Sequence, residues 1–176
     1  LYTKEMATPI ESTSLTLEEW RLGATQQGSK GQKFAPNTSP VYQIGTDKNP
    51  LFCPWGASSW SSESARLSID VDVTDRPEVV QKLRAIDAWA IQHGSNYHPL
   101  VNVHPKYGTI KLRCKVKTEG KHATCFWSPE RKQLEEPDLR EASLVLVCNF
   151  SRMWHTASAY GVICDLQHAV VHKTPK

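Results

Sequence analysis

Apolar side chains recur at every second position in three blocks of this chain and at helical spacing in one. Residues 66–73 (RLSIDVDV) place Leu67, Ile69, Val71 and Val73 in one register and Arg66, Ser68, Asp70 and Asp72 in the other. Successive side chains of a strand point to opposite faces, so such a block predicts a strand buried on one side. Residues 108–117 (GTIKLRCKVK) repeat the pattern with cations in the polar register. Ile110, Leu112, Cys114 and Val116 share one face, and Lys111, Arg113, Lys115 and Lys117 the other. Residues 159–172 form a third, longer block with Tyr160, Val162, Cys164, Leu166 and Val170 on one face. Residues 143–150 (SLVLVCNF) are apolar in both registers, as in a strand covered on both sides.

The helical exception is residues 75–93. Val79, Val80, Leu83, Ile86 and Ala90 make an apolar stripe at helical spacing. Trp89 lies beside the stripe and is expected in the core. Asp75, Pro77 and Glu78 are placed for a capping box, and Gly94 to end the helix.

Other segments are shorter. Residues 41–45 (VYQIG) predict a strand, and residues 23–40 a loop or long hairpin tip. Residues 109–117 are expected to turn at 118–121 and return as 122–127, a hairpin. Strands at non-local spacing with a single mid-chain helix predict a mainly β fold, an OB-fold-like Greek-key barrel with one long helix at about residues 76–93 and extended loops. A capsid-like sandwich is the structural rival. Residues 28–176 are expected to form this barrel domain. Residues 1–27 are expected to be a flexible N-terminal segment or part of the barrel.

Composition narrows the function. The net charge of +3 over 176 residues is mild, so binding to a polyanion must come from local charge placement. No apolar run approaches a membrane span, and no signal-peptide pattern opens the chain. The first residue is Leu, as in a trimmed or processed chain. Cys53, Cys114, Cys125, Cys148 and Cys164 are odd in number and lack a CxxC, which points to a reducing intracellular compartment.

No phosphate-binding glycine motif, GxSxG or HExxH occurs. His122 and Cys125, with Cys114 upstream, fall short of a four-ligand zinc set. His168 and His172, four apart on a strand face, read as partly exposed at a sheet edge. Asp70 and Asp72, with Glu63 near, could serve a metal-dependent nuclease, the catalytic rival. No catalytic residue, metal or cofactor is expected.

The favoured reading is a surface for single-stranded nucleic acid, which pairs a basic groove with aromatic stacking platforms. Lys111, Arg113, Lys115, Lys117, Lys121 and Arg152 supply cations. Tyr107, Trp127 and Trp154 supply platforms, with Trp55 and Trp60 as a loop clamp. Alternation should bury one of Phe126 and Trp127 and expose the other.

The order of local patterns adds a resemblance. A Gly/Lys-rich segment and short strand (28–45) lead to the loop NPLFCPWGAS (49–58). The alternating strand then feeds a helix with a mid-helix acid, LRAIDAWA (83–90). KYGTIKLRCKVK (106–117), an apolar strand into a Trp connection (143–154), and YGVICDLQHAVV (160–171) follow. This resembles the single-stranded DNA-binding proteins of large DNA viruses and T7-like phages. The resemblance implies an OB-fold core and sequence-independent DNA binding in replication, recombination or repair. Its expected partner is single-stranded DNA, with single-stranded RNA, replication proteins and a second copy of the chain as further candidates. Phage members end in an acidic tail. This chain ends HKTPK, so the tail was removed or partner contacts are made differently.

Overall fold

The computed structural model describes residues 10–11, 21–22, 26–27, 33–38, 41–54, 56, 67–118 and 123–172. Its strands are β1 (Ile10–Glu11), β2 (Arg21–Leu22), β3 (Gln26–Gln27), β4 (Lys33–Thr38), β5 (Val41–Ile44), β6 (Leu51–Cys53) and β7 (Ser68–Asp72). Helix α1 (Pro77–Ala90) follows, then β8 (Tyr97–His98), β9 (Asn102–Val103), β10 (Ile110–Lys115), β11 (Cys125–Trp127), β12 (Gln133–Leu134), β13 (Ala142–His155) and β14 (Tyr160–His172).

Five strands close on themselves. β6 pairs β7, β7 pairs β10, β10 pairs β14, β14 pairs β13, and β13 returns to β6. All pairs are antiparallel except β10 with β14. This ring is the expected OB-fold-like barrel, and closure removes the free edges that an open sheet would expose. Beyond its contact with β6, β13 runs on against β5 and then β4.

Alternation decides what fills the barrel. Ile69 and Val71 from β7, Leu112 and Cys114 from β10, Leu144, Leu146 and Cys148 from β13, and Cys164 and Leu166 from β14 point inward and are buried. Fully burying side chains of this size contributes about 1.5–3 kcal/mol each. The helix stripe Val79, Val80, Leu83, Ile86 and Ala90 belongs to the same core, and Trp89 packs against it. Cys114 and Cys164 meet inside, Sγ to Sγ 3.9 Å. Hydrogen bonding with Cys114 and Cys148, then burial, holds the Cys164 thiol well above the usual range.

Three expectations are corrected. The capping box does not form. Arg76 is the N-cap and no side chain caps the helix. Its guanidinium donates instead to the carbonyls of Asn49 and Pro50 (2.8 and 2.6 Å), pinning the helix start to the β5–β6 turn. The 109–127 hairpin is also absent, because β10 and β11 both run parallel to β14, one after the other along the edge that β13 leaves open. Within residues 23–40 the expected hairpin forms, β3 pairing antiparallel with β4, and β4 also pairs with β13.

The last correction concerns β14. Leu146 pairs Ala169, Val147 pairs His168, and Cys148 pairs Leu166, so Gln167 is an extra residue. This bulge moves Ala169 and Val171 into the core and Val170 to the opposite face. At its C-terminal end α1 tightens into a 3-10 turn, Ile91–His93, before Gly94.

Candidate nucleic-acid interface

Residues directly opposite one another in neighbouring strands share a face. One rung of the barrel exterior therefore reads Ser143, Phe52, Asp72, Lys111, Asn102, across β13, β6, β7, β10 and β9. Another reads Ser68, Lys115, Asp165, Asn149. Between them Arg113 lies opposite Asp70. The cations of β10 thus occupy the outer face, in the register that alternation requires.

They are not a bare row. Arg113 donates from Nε to Asp70 Oδ1 at 3.2 Å while staying largely exposed. Asp72 Oδ1 accepts from the Thr74 backbone N–H. Lys117 Nζ stands 3.9 Å from Asp165. Lys111, Lys115 and Lys117 are each part-buried. Burial, followed by the nearby positive charges of Arg152 and Lys117, lowers the Lys115 pKa against the opposing pull of Asp165. Among the described residues of these rungs, five cations (Lys111, Arg113, Lys115, Lys117 and Arg152) stand with three carboxylates (Asp70, Asp72 and Asp165).

Arg152 reaches this face through an irregularity. Asn149 pairs Asp165 and Arg152 pairs Ile163, so four residues of β13 oppose three of β14. Phe150 and Met153 are both buried, three positions apart, which strict alternation forbids. The extra residue turns Arg152 outward. There its Nε and Nη2 donate to the two oxygens of Asp165 at 2.8 and 2.7 Å.

The aromatic residues divide. Tyr107, 69% exposed, stands in the turn before β10. Its ring stacks on His104 (centroids 4.9 Å apart), whose Nδ1 accepts from the backbone N–H groups of Lys106 and Tyr107. Lys106 Nζ lies 5.3 Å from the centre of that ring. Trp127 lies on β11, further along the same edge of β14 that β10 pairs with. Its Nε1–H donates to His168 Nδ1 at 2.9 Å and the rings stack. Phe126 is buried and Trp127 part-buried. Trp154 packs over Gly161 and edge-on to His98. Lys121, Trp55 and Trp60 lie outside the described residues.

Two members of this face were missed in the sequence. Phe52 is 44% exposed between the buried Leu51 and Cys53. The triplet LFC was too short for an alternation argument, though its odd register was the available signal. Asp165 is buried behind Arg152 and had no sequence signal, because the bulge that joins them is invisible to periodicity. His168 is buried against Trp127 rather than partly exposed at an edge. His172 is part-buried and bonded to Asp47 at 2.9 Å.

Asp87, on the helix, is structural. Its carboxylate accepts from Tyr97 Oη (2.6 Å) and from the N–H groups of Leu100 and Val101. Among the described residues no three His, Cys, Asp or Glu side chains gather to hold a metal ion. No helix among them is long and apolar enough to cross a membrane.

The sequence matches no protein-family model, and no curated protein matches it. A solved structure with a related outline is gp2.5, a single-stranded DNA-binding protein encoded by bacteriophage T7. It is 12% identical, with a TM-score of 0.47, over 79% of this chain and 89% of that one. At that distance the site rests on its own geometry.

Proposed function

We propose that the outer face of β7, β10 and β14 binds single-stranded DNA without sequence preference, in replication, recombination or repair, and without catalysis. The observation that carries this reading is the rung joining an exposed aromatic to the basic strand: Phe52, Asp72, Lys111. Phe52 sits two strand spacings from Lys111, roughly 9–10 Å. Tyr107 lies four residues before Lys111 and is backed by His104. Cations flanked by ring platforms suit a strand whose phosphates are held and whose bases stack. Lys111, Arg113, Lys115, Lys117 and Arg152 contact phosphates in this reading, and Tyr107 and Phe52 take bases. Trp127 and Trp154, held by His168 and Gly161, extend the same surface.

The test is fluorescence anisotropy with labelled oligo-dT, a mixed-sequence strand of equal length, and a duplex. Both single strands should bind alike and the duplex less well. The pair Lys111→Glu with Lys115→Glu should weaken both single strands equally. Unchanged affinity in that variant would place binding elsewhere. Equal affinity for duplex, with stable multimers, would favour the sandwich-like structural module.

A further inference from the structure

Among the described residues Asp165 and His168 are the buried polar side chains, and Asp165 is the one carboxylate. A buried carboxylate needs a partner, and Arg152 supplies one through a two-pronged contact at 2.8 and 2.7 Å. One guanidinium would suffice for that purpose. Yet Lys117 Nζ also stands 3.9 Å away, and Lys115 lies directly opposite in the parallel register. Three cations thus gather around one carboxylate, and like charges held this close repel one another. The β13 bulge exists at the point that brings Arg152 into this group. The cations are not sealed in: the side chains of Arg152 and Lys117 keep 25% and 32% of their surface accessible, against 9% for Asp165.

Resting on the function proposed above, we infer that Asp165 is a positioning residue. It gathers Arg152, Lys117 and Lys115 into a seat for one backbone phosphate of the bound strand. The phosphate adds a second negative charge beside that of Asp165 and relieves the repulsion among the three cations. The inference has an unusual sign. Removing a carboxylate from a surface that binds a polyanion ordinarily strengthens binding, because the net charge becomes more positive. At Asp165 removal should weaken it, because the fork that aims Arg152 is lost.

The experiment compares Asp165→Asn with Asp70→Asn in the full chain, by anisotropy with labelled oligo-dT. Both substitutions remove one negative charge from the same face. Asp70→Asn should tighten binding, and Asp165→Asn should weaken it on the order of tenfold. In an Arg152→Ala background Asp165→Asn should have little further effect, because it acts through Arg152. A purely structural Asp165 would lower the melting temperature while the folded fraction bound as tightly as Asp70→Asn, and that result overturns the inference. If Asp165→Asn fails to fold, Arg152→Lys decides. It keeps the charge and loses the fork, so it should weaken binding with an unchanged salt slope, and wild-type affinity would overturn the inference. Absence of oligo-dT binding by the wild type overturns the underlying function and this inference together. Wild-type binding with a tightened Asp165→Asn overturns the inference alone.

Discussion

A Cβ at Gly161 would lie 2.6 Å from Trp154 Nε1, closer than such atoms approach in folded proteins. Gly161→Ala should therefore cost roughly 1–3 kcal/mol through overpacking, read as a lower melting temperature. An unchanged value would mean that Trp154 is free to move aside. His168 makes a separate prediction at this scale. Its Nδ1 accepts from Trp127, and burial lowers its pKa from 6.5. A lowered imidazole pKa favours the neutral form in the fold. The resulting stability is present above about pH 6.5 and is lost as pH falls through the folded value. An NMR titration should place the His168 transition below 6.5, and one above it would contradict the buried contact. Phe52→Ala should weaken single-strand binding by about 1–3 kcal/mol, the loss of one stacked base. Its melting temperature should change little, because Phe52 is 44% exposed.

At the scale of elements, periodicity was legible wherever the ladder is regular. Ile69 and Val71 face in and Asp70 and Asp72 out, and the same holds for Leu112 and Cys114 against Lys111 and Arg113. Side-chain period alone settles those positions. It fails across an inserted residue, which inverts every later prediction on that strand. Val170 was misplaced for this reason, and the pairing of Arg152 with Asp165 was hidden. The hairpin expectation failed for a different cause: nothing local in residues 109–127 reports that both strands run in one direction along the same edge of β14. The bulge gives a direct prediction. Deleting Ser151 restores regular pairing with Arg152 still outward and Met153 inward, so the variant should fold. Deleting Arg113 from the regular part of β10 turns Cys114 outward and Lys115 into the core. Burying such an unpaired charge costs roughly 3–5 kcal/mol, and that variant should not fold. Circular dichroism and melting curves separate the two. Loss of structure in both would contradict the bulge.

For the molecule as a whole, one closed ring of five strands sealed by α1 presents charge on one outer region without disturbing the interior. Binding there should be strongly salt-dependent. Each phosphate contact on a single strand contributes about 0.7 to the slope of log affinity against log salt. Lys111→Gln and Lys117→Gln should each lower that slope by about this amount, and slopes equal to wild type would exclude both as phosphate contacts. The central claim is that unpaired DNA lies on this particular exterior. The most direct measurement is an amide NMR spectrum of the isotopically labelled chain titrated with oligo-dT. The account predicts shifts concentrated at Phe52, Asp72, Tyr107, residues 111–117, Arg152 and Asp165. Saturable shifts elsewhere, with these amides unmoved, would contradict it.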